Sequence, residues 1–363
     1  MKPDQASKYR GGKYSAGRIP FMMAVIACFI FLIQAISCSS GNESVQENAA
    51  DTSNTIAELF TEENVWTAPD TSAIPAGESG SMIRYGRKLI IHTSKFFGPN
   101  GSVSKTANGM NCQSCHLEAG TRPYGNNLGS ASTTYPKFLP RSNSVISLAQ
   151  KINECFSRSL NGTPIDTTSN EMNAYLAYIN WLGQTFHKDK EQTGSGGIKA
   201  PKLIDRAADP EKGEAVFELY CVRCHGKDGH GQLVTDVLKD ITKQQGGTAT
   251  KEDLYFYPPL WGNNSFNGVA TLYRLSKFAG FVKSNMPYPV NYNSPVLTDE
   301  QAWDVAAYVN SRERPIKDYS KDYISDISKK PYDFPFPPYA DQFSDTQHKF
   351  GPYTDMPSAH KAH

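Results

Sequence analysis

Two copies of one five-residue pattern constrain this chain more than anything else in it: Cys112-Gln-Ser-Cys115-His116 and Cys221-Val-Arg-Cys224-His225. Cys-x-x-Cys-His is the attachment pattern of a c-type haem. Two thiols one helical turn apart reach the two vinyl groups of one porphyrin, and the adjacent His swings under the iron as proximal ligand. Zinc binding would need further Cys or His at ligand spacing. Of seven cysteines, Cys28 and Cys38 belong to an N-terminal apolar segment, so only Cys155 is left over. The motifs therefore predict two covalently bound haems, on Cys112 and Cys115 and on Cys221 and Cys224, with His116 and His225 as proximal ligands.

The two motifs fall in units of one plan: a helix before the motif, loops after it, and a closing helix rich in aromatics. In the first unit the leading helix is expected near Met82–Lys95, where Met82, Gly86, Leu89 and Thr93 share a stripe at helical spacing. Its closing helix is Glu171–Leu182, with Thr168 and Glu171 spaced as a capping box. In the second unit the leading helix is Pro210–Tyr220, with Pro at a helix start. The closing helix Gln301–Ser311 has Thr298 and Gln301 as its box. Gly86 and Gly213 are small enough for the closing helices, with Tyr178 and Tyr308, to cross closely. The arrangement resembles the small all-helical cytochrome c fold, repeated. The fold class is mainly α, with two tandem cytochrome c-type domains (66–187 and 206–315), long loops, a Gly- and polar-rich linker (188–205) and an extended tail (316–363) rich in Pro and aromatics. Lys and Arg number 37 against 36 Asp and Glu, a formal net charge of +1, which favours no nucleic-acid partner. With 39% hydrophobic residues, 28 Gly and 23 Pro, the composition excludes collagen, a polytopic membrane protein and full disorder.

Residues Phe21 to Ile36 form one apolar run, preceded by Lys2, Lys8, Arg10, Lys13 and Arg18. The run is shorter than the ~20 residues of a spanning helix. Basic flank, short apolar core and Ser37-Cys38 read as an export signal (1–38). A Cys after a small residue at that point resembles a bacterial lipoprotein cleavage site, although Ala35 stands where Leu is usual. Cys38 would carry lipid, tethering the chain to the periplasmic side of a membrane through a polar spacer (39–65). An uncleaved anchor helix is the alternative.

Met286, in Asn285-Met286-Pro287, lies in a loop before the second closing helix and resembles the distal ligand of small cytochromes c. A His/Met iron has a raised potential. No Met-Pro loop follows His116. Met172 sits in a closing helix and reads as packing. Cys155 lies on a helix opened by a Ser147/Gln150 box and ended before Gly162. Leu148, Ile152, Cys155, Phe156 and Ser159 share its inward stripe. Lys151 and Ser159 stand four residues either side of Cys155, and Arg158 three beyond. Cations lower a thiol pKa, and a thiolate is both a haem ligand and a sulfur nucleophile. An unpaired Cys in an exported chain also has a plainer reading, as a small buried hydrophobe.

The segments GMNCQSCHLEAGTRPY, KINECFSRSLNGTP and EMNAYLAYINWL, with NMPY and PYADQFSDTQHKFGPY further on, resemble the dihaem thiosulfate dehydrogenase family from about Trp66 to Tyr353. The resemblance implies His116 and Cys155 as ligands of the first iron, and His225 and Met286 as those of the second. It implies substrate contacts at Arg141, Lys151 and Ser159, position 151 being usually Arg. It also implies oxidation of two thiosulfates to tetrathionate, possibly reversibly, with Cys155 catalytic. Electrons would pass from the first haem to the second, and out to a small periplasmic or membrane cytochrome or other carrier. Two other readings stand beside it: a dihaem electron carrier, which leaves Cys155 unexplained, and a Sox-type cytochrome that loads thiosulfate onto a carrier protein.

Overall fold

The computed structural model describes residues 65–189, 192–237 and 253–356. The export signal with Cys38, and the spacer up to residue 64, lie outside the described residues. In chain order the principal elements are α1 (Gly77–Ile91), the antiparallel hairpin β1 (Lys137–Leu139) and β2 (Ser144–Ile146), α2 (Leu148–Arg158), and α3 (Asn170–Leu182). Then come α4 (Pro210–Tyr220), the short pair β3 (Gln232–Leu233) and β4 (Tyr255–Tyr257), α5 (Leu275–Asn285), α6 (Asp299–Ser311) and α7 (Asp345–Phe350). The described residues are thus mainly helical. None of their helices is long and apolar enough to cross a membrane.

Each unit is closed by one crossed helix pair, α1 with α3 and α4 with α6, and a glycine makes each crossing possible. A Cβ on Gly86 would lie 2.7 Å from both the Ala174 carbonyl carbon and Tyr178 Cβ, and nearer still to the Ala174 oxygen. A Cβ on Gly213 would lie 2.8 Å from Tyr308 Cβ, with the Asp304 carbonyl closer. Real carbon pairs sit about 3.5–4.0 Å apart, so no larger residue fits either crossing unchanged. The two cores differ in their aromatics. Phe97, Phe156, Tyr175 and Tyr178 fill the first, and Phe217, Trp303, Phe278 and Tyr353 the second.

Helix starts follow local chemistry. Ser147 and Gln150 exchange bonds of 3.2 and 2.7 Å at α2, and Thr298 and Gln301 bonds of 3.1 and 2.9 Å at α6. Asp209 caps α4 through the amides of Glu211 and Lys212, with Pro210 at the first turn. At α3 the cap is Ser169, which accepts from the Met172 amide at 3.1 Å, and not Thr168. Thr168 is held instead by Asp166, whose carboxylate accepts its amide at 2.8 Å. Met172 is fully buried core. The leading helix begins at Gly77 rather than Met82 and breaks at His92, after which Thr93–Phe97 forms a separate turn. At the break the Thr93 hydroxyl donates to the Leu89 carbonyl at 2.7 Å and accepts from the Cys112 amide at 2.9 Å. The end of the leading helix thereby fixes the first haem cysteine.

The stretch between the units lies on both. The Trp66 amide donates to Thr193 O at 2.9 Å, and Trp303 Nε1 to Lys202 O at 2.8 Å. The tail is mostly extended, with α7 as an addition to the sequence expectation. It packs Tyr332, Phe334, Tyr353 and Met356 into buried positions. Its buried Asp333 accepts from Arg274 Nε at 2.7 Å and from the Ser276 amide at 3.0 Å.

Candidate functional site

In the second unit Cys221 ends α4, and the turn Val222–His225 carries Cys224 and His225 beside it. His225 Nδ1 lies 2.9 Å from the Pro258 carbonyl oxygen. A carbonyl only accepts, so the ring proton sits on Nδ1 and the Nε2 lone pair is left for a metal. Burial lowers the pKa of His225, which keeps the ring neutral, as a ligand must be. Cys221, Cys224, His225 and Met286 line one cavity with Phe217, Phe278, Phe281, Val305 and Val309. Two thiols, a neutral imidazole with a free Nε2 and a thioether on an apolar wall are the donor set and surroundings a covalently held porphyrin needs.

The first motif repeats these features. Asn111 and Ser114 exchange side chain–backbone bonds around Cys112–Ser114. His116 Nδ1 donates to Asn126 O at 2.5 Å, which again frees Nε2. Burial lowers the pKa of His116, and nearby Lys151 adds to the effect. Burial pushes the Cys112 thiol up to about 11, and those of Cys115 and Cys221 up to about 12. None of the five described cysteines is in a disulfide. Among the described residues no three His, Cys, Asp or Glu converge as a separate metal site.

The two motifs share a wall. Gln113, Ser114, Leu117 and Glu118, which flank the first motif, also line the cavity of the second. Cys115 packs against both cores. Arg122, just after the first motif, is buried and pins the loop after α5. Its Nε donates to Asn285 Oδ1 at 3.1 Å and its Nη2 to Pro289 O at 3.1 Å and to Val290 O, while Glu118 takes Nη1 at 2.5 Å. Asn285, fully buried, also donates to Tyr124 O and Phe281 O. It stands next to Met286 and holds that loop.

Cys155 lies on α2, close enough to the first motif that its charge raises the thiol pKa values of Cys112 and Cys115. Burial is the largest influence on Cys155 and pushes its own thiol up. Lys151, Arg141 and Arg158 oppose that shift and Glu154 adds to it. The protein's cations alone thus do not offset that burial. Burial would lower the Lys151 pKa, but Cys155, Glu154 and Tyr135 together hold it above its ordinary value. Its Nζ lies 3.0 Å from Glu154 Oε2, one helical turn on.

Arg141 comes from the turn of the β1–β2 hairpin, Lys151 and Cys155 stand on α2, and Ser159 is the residue that ends it. The Arg141 guanidinium makes no hydrogen bond to a described residue, its Nε standing 3.8 Å from Asp322 Oδ2, and neither does the Ser159 hydroxyl. Arg158 is engaged: both Nη groups bond Asp322 at 2.9 Å. Sequence reasoning missed Tyr135, Glu154 and Asp322. Glu154 was available from its i,i+3 spacing to Lys151; Asp322, which lies 164 residues from Arg158, carries no local signal.

Two family models match the chain: the SoxA/TsdA cytochrome c domain over residues 102–185 and cytochrome c over residues 210–313. The chain therefore comprises two cytochrome c domains and carries two covalent c-type haems. It is 34% identical over 253 residues to a thiosulfate dehydrogenase of Stutzerimonas stutzeri, covering 70% of this chain and 74% of that protein. It is 32% identical over 259 residues to one of Allochromatium vinosum, covering 69% and 84%. Among solved structures it is similar to the thiosulfate dehydrogenase TsdBA of Marichromatium purpuratum in its as-isolated form. That match has a TM-score of 0.59 and 29% identity, and covers 69% of this chain and 50% of that one, so the chain spans half the length of that protein. With the paired haem motifs, the shared wall and the placement of Cys155 already described, these likenesses settle its kinship: the chain belongs to the thiosulfate dehydrogenase family.

Proposed function

We propose that this chain oxidises two thiosulfates to tetrathionate at Cys155 and passes the electrons through its second domain to an external cytochrome or similar carrier. The reading rests on Cys155 being within electrostatic reach of the first haem motif and of the cations Lys151, Arg141 and Arg158. In this assignment His116 and Cys155 would hold the first iron and His225 and Met286 the second. Arg141, Lys151 and Ser159 contact the substrate. The haems, when bound, supply two one-electron acceptors.

The residues have two tasks. Two thiosulfate dianions ~4 Å apart repel by about 4 kcal/mol in water, four times the unit-charge value, and by more in drier surroundings. Arg141 and Lys151 offset that repulsion and orient the oxyanion ends, with the free Arg141 Nη groups and Ser159 hydroxyl as donors. Lys151 does this as a point charge, without the fork an Arg would offer. The Cys155 thiolate then supplies the sulfur chemistry. It forms a sulfur–sulfur bond to the terminal sulfur of one thiosulfate as two electrons leave. The terminal sulfur of the second thiosulfate attacks that adduct, the bond to Cys155 breaks, tetrathionate departs and the thiolate returns. Charge and atoms balance in each step, and the reverse sequence reduces tetrathionate at the same residues.

The reading also places the protein outside the cytoplasm, lipid-anchored on Cys38; the basic flank, the apolar run Phe21 to Ile36 and Ser37-Cys38 support this. The test is anaerobic addition of thiosulfate alone to the oxidised protein. The haem bands should shift to their reduced form, and one tetrathionate should appear per two thiosulfates once a cytochrome acceptor is supplied. No reduction would make the chain an electron carrier. Reduction without tetrathionate would point to sulfur transfer onto another protein.

A further inference from the structure

The tail crosses back from the second domain to the first, with Lys317 bonding the Gly162 carbonyl and the residues after it lying on the cations around Cys155. Asp322, whose side chain is 8% exposed, takes both Nη groups of Arg158 at 2.9 Å, and its Oδ2 lies 3.8 Å from Arg141 Nε. The next residue locks the same arginine. The Tyr323 amide donates to Arg141 O at 2.8 Å, and the Arg141 guanidinium lies 6.0 Å over the Tyr323 ring. Tyr323 itself adopts a left-handed backbone with φ of 62°, a conformation that costs a non-glycine residue free energy.

From this geometry we infer that Asp322 is a positioning residue of the anion site: it holds Arg141 and Arg158 side by side and turns the Nη edge of Arg141 toward the substrate. The inference rests on the reading of the Cys155 pocket as the place where thiosulfate binds. Two guanidiniums near one thiol repel each other and gain freedom if nothing lies between them. A buried carboxylate between them removes the repulsion and fixes one plane, since a bidentate carboxylate–guanidinium pair is geometrically specific. Arg141 is approached on its Nε side, which leaves its two Nη groups for the planar recognition of an oxyanion. Asp322 acts through the arginines and not on the reacting sulfur. The tail therefore completes the first domain's site.

The test uses the haem-loaded full chain and sulfate, a dianion that does not react. Sulfate affinity is measured by calorimetry on the oxidised protein, alongside KM and kcat for thiosulfate. Asp322→Asn should weaken sulfate binding and raise KM by about tenfold or more while kcat changes less than threefold and haem content is retained. Asp322→Glu, which keeps the charge one methylene further out, should show a smaller loss. In an Arg141→Lys background Asp322→Asn should add less than twofold, because the Nη edge it turns toward the substrate is gone. Unchanged sulfate binding in Asp322→Asn would make the tail contact a structural staple only. Tighter binding would make Asp322 a competing anion. Either result overturns the inference. If Asp322→Asn does not accumulate, the glutamate variant decides, and unchanged binding there overturns it equally. Failure of the oxidation reading would show separately, in a wild-type protein that binds sulfate but is not reduced by thiosulfate.

Discussion

Replacing Gly86 by Ala tests the packing on which the first haem domain stands. The added Cβ would meet the Ala174 carbonyl carbon and Tyr178 Cβ at 2.7 Å. Ordinary carbon contacts are about 3.5–4.0 Å, so α1 and α3 must part by ~1 Å locally. The obstacle is backbone inside a helix and cannot swing aside as a long side chain would. Leu89, Ile90, Tyr175, Tyr178, Ile179 and Leu182 are all buried along this pair, and a radial gap of ~0.5–1 Å forfeits roughly a quarter to a half of each contact's attraction. Overpacking costs ~1–3 kcal/mol, and the upper end applies here. Alanine returns about 1 kcal/mol through its better helix propensity. The net loss is about 2 kcal/mol, or ~3 °C in Tm for a chain of this size. The assay is thermal melting of the haem-loaded protein followed by far-ultraviolet circular dichroism. The control is Gly196→Ala, where an added Cβ meets nothing within 4 Å and a change within about 0.5 kcal/mol is expected. A Gly86→Ala Tm equal to wild type would refute the claim that this crossing is closed to any side chain.

Further outcomes follow from the assigned roles. Met286→Ala should lower the reduction potential of the second haem, since a thioether ligand raises it; a redox titration with both midpoints unchanged would remove Met286 from the iron. Arg122→Ala frees the Asn285–Val290 loop from its bonds to the first domain, so the absorption signature of the Met–iron bond should weaken while both haems stay attached; an undisturbed spectrum would mean the loop holds itself. Lys151→Arg supplies the planar fork and should lower KM for thiosulfate severalfold, provided the longer head still reaches past Glu154; an unchanged KM would argue that charge alone matters there.

What the sequence disclosed and what it concealed divide by range. The Ser147/Gln150 and Thr298/Gln301 boxes are short-range chemistry, readable because a cap joins residues three apart. Gly86 and Gly213 were legible because each unit repeats one plan with a glycine in its leading helix. Thr168 and Ser169 offered two adjacent caps for α3, and the choice fell to Asp166, which claims Thr168. The Arg141 hairpin was not foreseen: each strand has only three residues and exposes Phe138 and Val145 to solvent, so no alternation marks it. Asp322 and Arg122 could not be read at all. Apart from Glu118 beside Arg122, their side-chain partners lie more than a hundred residues away, and nothing local distinguishes a buried aspartate in a polar tail from a solvated one. Lys151 and Arg158 near Cys155 were legible from helical spacing, and Arg141 only from the family resemblance. Their net effect was not, because burial of the thiol outweighs them in the protein alone.

The most direct measurement compares wild type with Cys155→Ala, each haem-loaded and oxidised, on anaerobic addition of thiosulfate. Wild type should take up two electrons per chain from two thiosulfates. The variant, with both haems still attached through Cys112, Cys115, Cys221 and Cys224, should take up none. Full reduction and full tetrathionate yield in the variant would contradict the account, because the sulfur to which it gives the chemistry would then be dispensable.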